Sequence, residues 1–435
     1  MRWLLPVVAL GMLGVATARG ADHIGTDFPV AAGGGAQGLP AVAHDPGGDR
    51  FFLAWYDSRN GRAAALDIYG RVVDGSGRPV TGDIPIARAR RSQSNPAVAF
   101  DTVNRRFLVL WADWRDAANV DSDIYGRLFN ADGTPQGEEF RIAARRGVSQ
   151  KTPNLAFDPV RRRFLVLWMD RRHGRDDKIY GRFVGADGLP QTDEFPIAME
   201  GNAQDIPSVL FDPRKDRFLV VWRDVKPVGA DKLEKAVVGS FVDAGAGPSG
   251  RSFLIALEKT ECAPLSLRAA GFSPKDNYYF IAWSSGRNYR ETLPLSQRRD
   301  DRPGYDSRPK GLDVYGAFIG VEDGSLRDEP FMIASEIDHQ RAPSVAYDPN
   351  RDRFLVVWYD LRRPPSKRDN DIYGRYVTPN GAMSAEFLVS DELASGPRQL
   401  PTVAFSPRSD AFLVLWEDGR QGRGEKTKIY GAAVR

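Results

Sequence analysis

The stretch Pro343-Ser-Val-Ala-Tyr-Asp-Pro-Asn-Arg-Asp-Arg-Phe-Leu-Val-Val-Trp358-Tyr-Asp360-Leu-Arg362, then Asp371-Ile-Tyr-Gly-Arg375 and Glu386-Phe-Leu-Val389, recurs along the chain with its punctuation intact. Tryptophans count the copies: Trp55, Trp111, Trp168, Trp222, Trp283, Trp358 and Trp416, spaced by 56, 57, 54, 61, 75 and 58 residues, with Trp3 and Trp114 outside the pattern. A fixed period of this kind marks a repeat architecture built from one supersecondary unit per copy. Each copy reads as four short strands, Pro-x-Val-Ala-Phe, Arg-Phe-Leu-Val-Val-Trp, Asp-Ile-Tyr-Gly-Arg-x-Val and Phe-x-Ile-Ala, enriched in β-branched and aromatic residues. No stretch has helical periodicity. The second strand is apolar at consecutive positions, as in Phe218-Leu219-Val220-Val221-Trp222, so both of its faces are expected to be covered. A blade held between two other blades meets that condition.

Turn chemistry separates the strands. Asp158-Pro159 and its equivalents join the first two strands, and Asp132-Gly133, Asp187-Gly188, Asp323-Gly324 or Asn380-Gly381 join the third and fourth, where hairpins need positive φ. The fold class that follows is all-β: a seven-bladed β-propeller of four-stranded blades, a solution that protects strand edges by radial repetition. The seventh copy stops at Ile429-Tyr430-Gly431-Ala-Ala-Val434-Arg435 without a fourth strand, whereas Phe28-Pro29-Val30-Ala31 is an orphan that matches one. The N-terminal strand is therefore expected to complete the last blade and close the ring.

Met1 to Ala16 place one positive charge before a short apolar run, and Ala16-Thr17-Ala18 follows with small side chains. This reads as a signal peptide over residues 1–20, cleaved after Ala18 or Gly20, with residues 21–435 forming a single propeller domain. The expected location is exported, periplasmic or extracellular. No segment is apolar enough for a membrane span, and no Cys stands at the cleavage site for a lipid anchor. The lone Cys262 excludes an intramolecular disulfide and any paired-cysteine metal site; it reads as a small buried apolar residue, with pairing to another chain as the alternative. A net charge of +3 with 27% charged residues lacks the basic excess of a nucleic-acid binder.

The run Trp-x-Asp-x-Arg followed by Asp-Ile-Tyr resembles the repeats of two exported propeller groups, the TolB-like propellers and the sialidase-like proteins with bacterial neuraminidase repeats. The resemblance covers nearly all of the chain beyond residue 20 at the level of the blade. In the sialidase-like group the third-to-fourth turn holds an Asp box, Ser/Thr-x-Asp-x-Gly-x-x-Trp, of which Asn130-Ala131-Asp132-Gly133 keeps only the Asp-Gly core. Those enzymes are usually six-bladed and use three arginines beside a Tyr/Glu pair, roles that no motif assigns to numbered residues here.

Asp and Arg recur two and four residues after the repeat Trp, as Asp57/Arg59, Asp113/Arg115, Asp170/Arg172, Asp360/Arg362 and Asp418/Arg420. A pair present in five blades reads as a part of the blade, capping the hairpin by charge-assisted hydrogen bonds. The third-strand glycines Gly70, Gly126, Gly181, Gly239, Gly316, Gly374 and Gly431 read likewise, as room for a neighbouring large side chain.

Function is expected where copies depart from the pattern. Blade four carries Lys226 in place of the Arg and Ala236-Val-Val-Gly-Ser240 in place of Asp-Ile-Tyr-Gly-Arg. Blade five has Ser285 for the Asp, then an insertion with Arg290, Arg298, Arg299, Arg302 and Arg308, and blade six has Arg363, Lys367 and Arg368 in the equivalent loop. These loops and the interblade links, with Arg88, Arg90, Arg91, Arg145 and Arg146, rise on one face. The basic face so formed suits an acidic glycan, a phosphate-rich lipopolysaccharide or an acidic patch on another envelope or extracellular protein; solvated loops are the alternative.

Catalytic signatures are sparse. His23, His44, His173 and His339 stand singly and read as surface residues, and there is no His-Glu-x-x-His, Gly-x-Ser-x-Gly or phosphate-binding loop. Calcium in the Asp-rich hairpins, for example at Asp116, Asp121 and Asp123, is an option that no EF-hand or nonapeptide loop supports. No cofactor or metal is expected, and no catalytic residue is assigned. The favoured function is a binding or scaffolding module, an accessory subunit contacting a protein or acidic glycan. The alternative is a sialidase-like glycoside hydrolase with an axial active site.

Overall fold

The computed structural model describes residues 27–31, 33–60, 65–116, 121–145, 147–174, 176–200, 203–227, 233–258, 266, 268–286, 311–336, 339–362, 370–391, 396–420 and 426–435. The first strand is β1 (Phe28–Pro29). Blade one comprises β2 (Gln37–Asp45), β3 (Arg50–Asp57), β4 (Asp67–Asp74) and β5 (Ile84–Ala87); blade two, β6 (Gln93–Asp101), β7 (Arg106–Asp113), β8 (Asp123–Asn130) and β9 (Pro135–Ala143). Blade three is β10 (Gln150–Asp158), β11 (Arg163–Asp170), β12 (Lys178–Gly185) and β13 (Phe195–Pro196); blade four, β14 (Ala203–Asp212), β15 (Arg217–Pro227), β16 (Leu233–Asp243) and β17 (Gly247–Glu258). Blade five is β18 (Ala270–Ser273), β19 (Tyr278–Ser285), β20 (Asp313–Gly320) and β21 (Phe331–Ala334); blade six, β22 (Gln340–Asp348), β23 (Arg353–Asp360), β24 (Asp371–Val377) and β25 (Phe387–Leu388). Blade seven has β26 (Arg398–Ser406), β27 (Ala411–Asp418) and β28 (Lys428–Val434), and its fourth member is β1.

All seven sheets are four-stranded and antiparallel, and the seventh has the order β1-β28-β27-β26. Phe28 faces Gly431 and Pro29 faces Tyr430, and the Val30 N–H extends the pairing by donating to the Ile429 carbonyl at 2.9 Å. The propeller is closed by its N-terminal strand, as the orphan Phe28-Pro29-Val30-Ala31 implied.

Seven hydrophobic clusters fill the seven interfaces between neighbouring blades, including the one that joins Leu413, Leu415 and Val30 of blade seven to Val42, Phe51 and Trp55 of blade one. An open solenoid would leave one interface bare. The consecutive apolar runs of the second strands are buried throughout, Phe51 to Trp55 all at 0–1% exposure, which explains why they lack alternation. Third-strand glycines lie where a side chain would collide with the fourth strand: a Cβ at Gly239 would stand 2.5 Å from the Phe253 ring. The turn glycine Gly77, at φ +85°, leaves room for the Phe28 ring of the preceding blade, 2.3 Å from where its Cβ would be.

Each blade's first strand starts on the face where the second-to-third loops and the interblade links lie. We call this the upper face.

Candidate functional site

The five Trp-x-Asp-x-Arg copies form one construction. Each Trp indole N–H donates to the Asp two residues on, at 2.8–3.3 Å. The Arg then bridges that Asp to an acid just ahead of the fourth strand or, in blade two, within it: Arg59 to Asp83, Arg115 to Glu139, Arg172 to Glu194, Arg362 to Glu386 and Arg420 to Asp27, at 2.6–2.9 Å. Every guanidinium also lies over the third-strand Tyr, 3.8–4.3 Å from the centroids of Tyr69, Tyr125, Tyr180, Tyr373 and Tyr430. Five arginines on the upper face are thereby engaged within their own blades.

Blade five solves the same problem differently. Ser285 replaces the Asp, and Glu258, the last residue of β17 in blade four, is fully buried and accepts from Trp283 Nε1 at 2.8 Å and from Ser285 Oγ. Asp313, at the start of β20, is buried nearby in the chain order; burial, aided by the Asp360 carboxylate, pushes it up to about 7 against a Ser335 hydroxyl that lowers it. A carboxyl raised in the folded state holds its proton there, so its stabilisation is full below the unfolded value of 3.8 and is lost as pH rises through about 7. Melting of wild type and Asp313→Asn at about pH 5 and about pH 8 checks this, the variant gaining on wild type at the higher pH.

Of the basic residues expected on the upper face, Arg290, Arg298, Arg299, Arg302, Arg308, Arg363, Lys367 and Arg368 lie outside the described residues, as do Cys262 and His23. Lys226 is on β15 with its backbone opposite Glu234. Arg88, Arg90, Arg91 and Arg145 are exposed on the interblade links. Two of the histidines depart from the expected surface position. His44 is half-buried, 3.2 Å from Asp49, and burial holds its pKa below the ordinary imidazole range. His339 Nδ1 accepts from the Leu312 N–H at 3.0 Å and faces Arg341 Nη2 at 3.2 Å. His173 is exposed, 2.7 Å from the Tyr180 hydroxyl. Asp116 and Asp123 both face Arg141, the first in direct contact and the second at 3.7 Å, so a cation already stands between them.

The inner strands hold what the repeat reading overlooked. Six of them bulge at the same place, at Leu39, Asn95, Thr152, Ile206, Ala342 and Leu400, all with φ between 38° and 54°. A Pro follows each. Positive φ is uncommon outside glycine and costly for β-branched Thr152 and Ile206. All six residues line one axial cavity of about 330 Å³ at the upper face. Their neighbours in sequence repeat, whereas these side chains do not.

The seventh inner strand departs from the rest. Ala270 faces Ile281 as Val98 faces Val109, so Arg268 occupies the position that Pro40, Pro96, Pro153, Pro207, Pro343 and Pro401 hold elsewhere. Its Nη2 reaches the Val42 carbonyl of blade one. Arg268 and Asn154 line both the upper cavity and a second one of about 530 Å³ that opens on the opposite face beside His44, Phe100, Tyr347 and Phe405. The axis is thus narrowed at its waist by a guanidinium. Aligning the first strands of the seven copies would have revealed it.

Fold and cavity together define a closed seven-bladed propeller with a ligand-sized axial chamber on its loop-bearing face. No known protein family and no curated protein matches the sequence. Among solved structures, a protein of unknown function from Dyadobacter fermentans DSM 18053 is similar over 96% of this chain and 100% of its own, with a TM-score of 0.54 and 10% identity. The GH93 α-L-arabinofuranosidase of Fusarium graminearum, in complex with arabinobiose, is similar over 83% of this chain and 98% of its own, with a TM-score of 0.50 and 9% identity. Likeness at these identities establishes the fold alone.

Proposed function

We propose that this chain is an exported binding or scaffolding propeller that engages another envelope or extracellular protein, or an acidic glycan, at its upper face, with the axial cavity as the site. The observation that carries this reading is the ring Leu39, Asn95, Thr152, Ile206, Ala342 and Leu400: one strained backbone position repeated around the cavity mouth, bearing side chains that differ from blade to blade. Residues kept in every copy serve the blade, and a repeated socket with varied occupants serves recognition. Arg268 and Arg341 line this cavity, and among the described residues no Asp or Glu does, so it favours anionic groups.

A glycoside hydrolase with an axial active site is the second reading, favoured by one observation. Glu417 stands just behind the rim, accepting the Leu39 N–H at 2.7 Å, and burial pushes its carboxyl above the usual range. Tyr56 beside it is pushed up to about 12 by burial and by that carboxylate. A raised carboxyl is what a general acid requires, but a glycosidase also needs a second carboxylate across the bond.

One comparison separates them. Wild type and Thr152→Trp, which fills the cavity mouth, are exposed to an acidic oligosaccharide array and to proteins of the envelope and culture fluid, and wild type and Glu417→Gln to a panel of aryl glycosides. Binding weakened at least about tenfold by Thr152→Trp supports the binding reading. Turnover abolished by Glu417→Gln replaces it with the hydrolase.

A further inference from the structure

Arg268 is a cation without an anion. Among the described residues its guanidinium has one partner, the Val42 carbonyl, although it carries five donors. Among the described residues no carboxylate lies against it, and burial pulls its pKa down to about 10. The contrast with the rest of the upper face is sharp, since the five repeat arginines each hold two acids. Nor does the fold demand an arginine, because six blades place Pro at this position.

A second group in the same cavity is also unspent. Ser344, on β22, is fully buried and lines the cavity, and among the described residues its hydroxyl has no hydrogen-bond partner. Buried polar atoms are satisfied in native proteins with few exceptions, and an exception facing a cavity marks the place of a ligand or water atom.

The rim above these two groups is mainly apolar, with Leu39, Ile206, Ala342, Leu400 and neighbouring prolines interrupted by Asn95 and Thr152. Sugars present hydroxyls in every direction and are held by dense hydrogen bonding and aromatic faces, of which only Tyr359 is present in the lining. A peptide end differs: it carries one carboxylate, an apolar side chain or two, and an amide that a Ser or Asn can meet. A cavity of about 330 Å³ accommodates a group of that size.

We propose that the axial cavity captures the free carboxyl terminus of a partner protein, with Arg268 as the counter-ion of the terminal carboxylate, Ser344 as a polar contact, and the apolar rim as the seat of the last side chain. Capture of a chain end by fixed donors is a known mode of peptide recognition. The proposal rests on the axial-site reading above and narrows its ligand from protein or glycan to a protein's chain end.

The probe is a library of peptides randomised at their last three positions and ending in a free carboxylate, with the best binder remade as its C-terminal amide. The expected result is selection of peptides with an apolar last residue, and a loss of about 30-fold or more on amidation. Arg268→Met should cause the same loss, with no further loss from the amide. The melting temperature should hold or rise, because an uncompensated guanidinium leaves a poorly solvated place. Equal affinity for acid and amide, no selected peptide, or an Arg268→Met variant that melts several degrees lower with peptide affinity unchanged would overturn it, the last by making Arg268 a brace across the axis. If no peptide binds while acidic oligosaccharides do, in a manner that Thr152→Trp abolishes, the chain-end proposal fails and the axial-site reading stands. Binding of anything untouched by Thr152→Trp removes both.

Discussion

Removing residues up to Ala31 is expected to lower stability by about 6 kcal/mol, roughly 10 °C in melting temperature for a chain of this length. The segment buries Val30 at 1% and Ala31 at 8% exposure and sets the Phe28 ring against Gly77 and Gly431. It also supplies Asp27, which accepts from Arg420 and from the Asp391 N–H at 2.9 and 2.7 Å. Val30 and the partly buried Phe28 ring contribute about 1.5–3 kcal/mol each, and Arg420 loses one of its two carboxylates. Phe28→Ala alone should cost about 3 kcal/mol. The same five residues joined behind Arg435 by a flexible linker should restore most of the loss, because β1 (Phe28–Pro29) is needed for its place in the sheet and not for its place in the sequence. Melting by circular dichroism reads all three chains. An unchanged transition in the truncated protein would mean that blade seven does not depend on β1.

Arg398→Met is expected to cost about 3–5 kcal/mol, read as a shift of the urea midpoint at constant slope. Arg398 is fully buried at the start of β26, in contact with Asp371 of blade six and 3.4 Å from Asp418 of its own blade. Five other blades hold a Gln at this place, Gln37, Gln93, Gln150, Gln204 and Gln340, and Gln37, for example, donates to Asp57 at 3.0 Å. Arg398 is therefore a blade-seven substitution tied to Asp371. Without it Asp371 stays buried and loses this guanidinium, keeping the Ser390 hydroxyl at 3.5 Å, whereas Asp418 keeps Arg420 at 2.6 Å. Arg398→Gln should recover only part of the loss, about 1–2 kcal/mol, since it serves Asp418 and not Asp371. Arg398→Gln combined with Asp371→Asn should recover most of the remainder. Arg398→Met as stable as wild type would show that Asp371 finds another partner.

The blades were legible because their signals are local and repeated. Seven Trp, the Asp-Gly turns and the run before each Trp specify strand, turn and burial within one copy, and the matching remnants at the two ends disclosed the closure. What escaped was carried by contacts between strands that stand apart in the sequence. Glu258 substitutes for an Asp that blade five lacks, but it does so from the last strand of blade four, where nothing in its own repeat suggests the role. The acids Asp83, Glu194, Glu386 and Asp27 stand just before the fourth strands and Glu139 within one, and only the folded blade shows that each shares an Arg. Arg268 was hidden for a further reason. Its strand has lost the Pro of the other six inner strands and the Gln of five of them, so the copy with the most informative residue at the axis is the one hardest to align. Attention to charged loops led instead to Arg298 and its neighbours, because an insertion is conspicuous in a sequence and a replaced proline is not.

The joining of β1 to β28 (Lys428–Val434) also sets an order of events. The partner of the first strand lies far along the chain, with about 400 residues synthesised between Phe28 and Gly431. At about 5–20 residues per second, the first strand waits on the order of 20–80 s for its neighbour. During that interval blade one can form beside blade two, but the ring has a free edge at each end, and Phe28 has no sheet to join. A closed propeller of this kind is completed only once the strand bearing Gly431 has been made, and any helper that shields the waiting edges is needed until then.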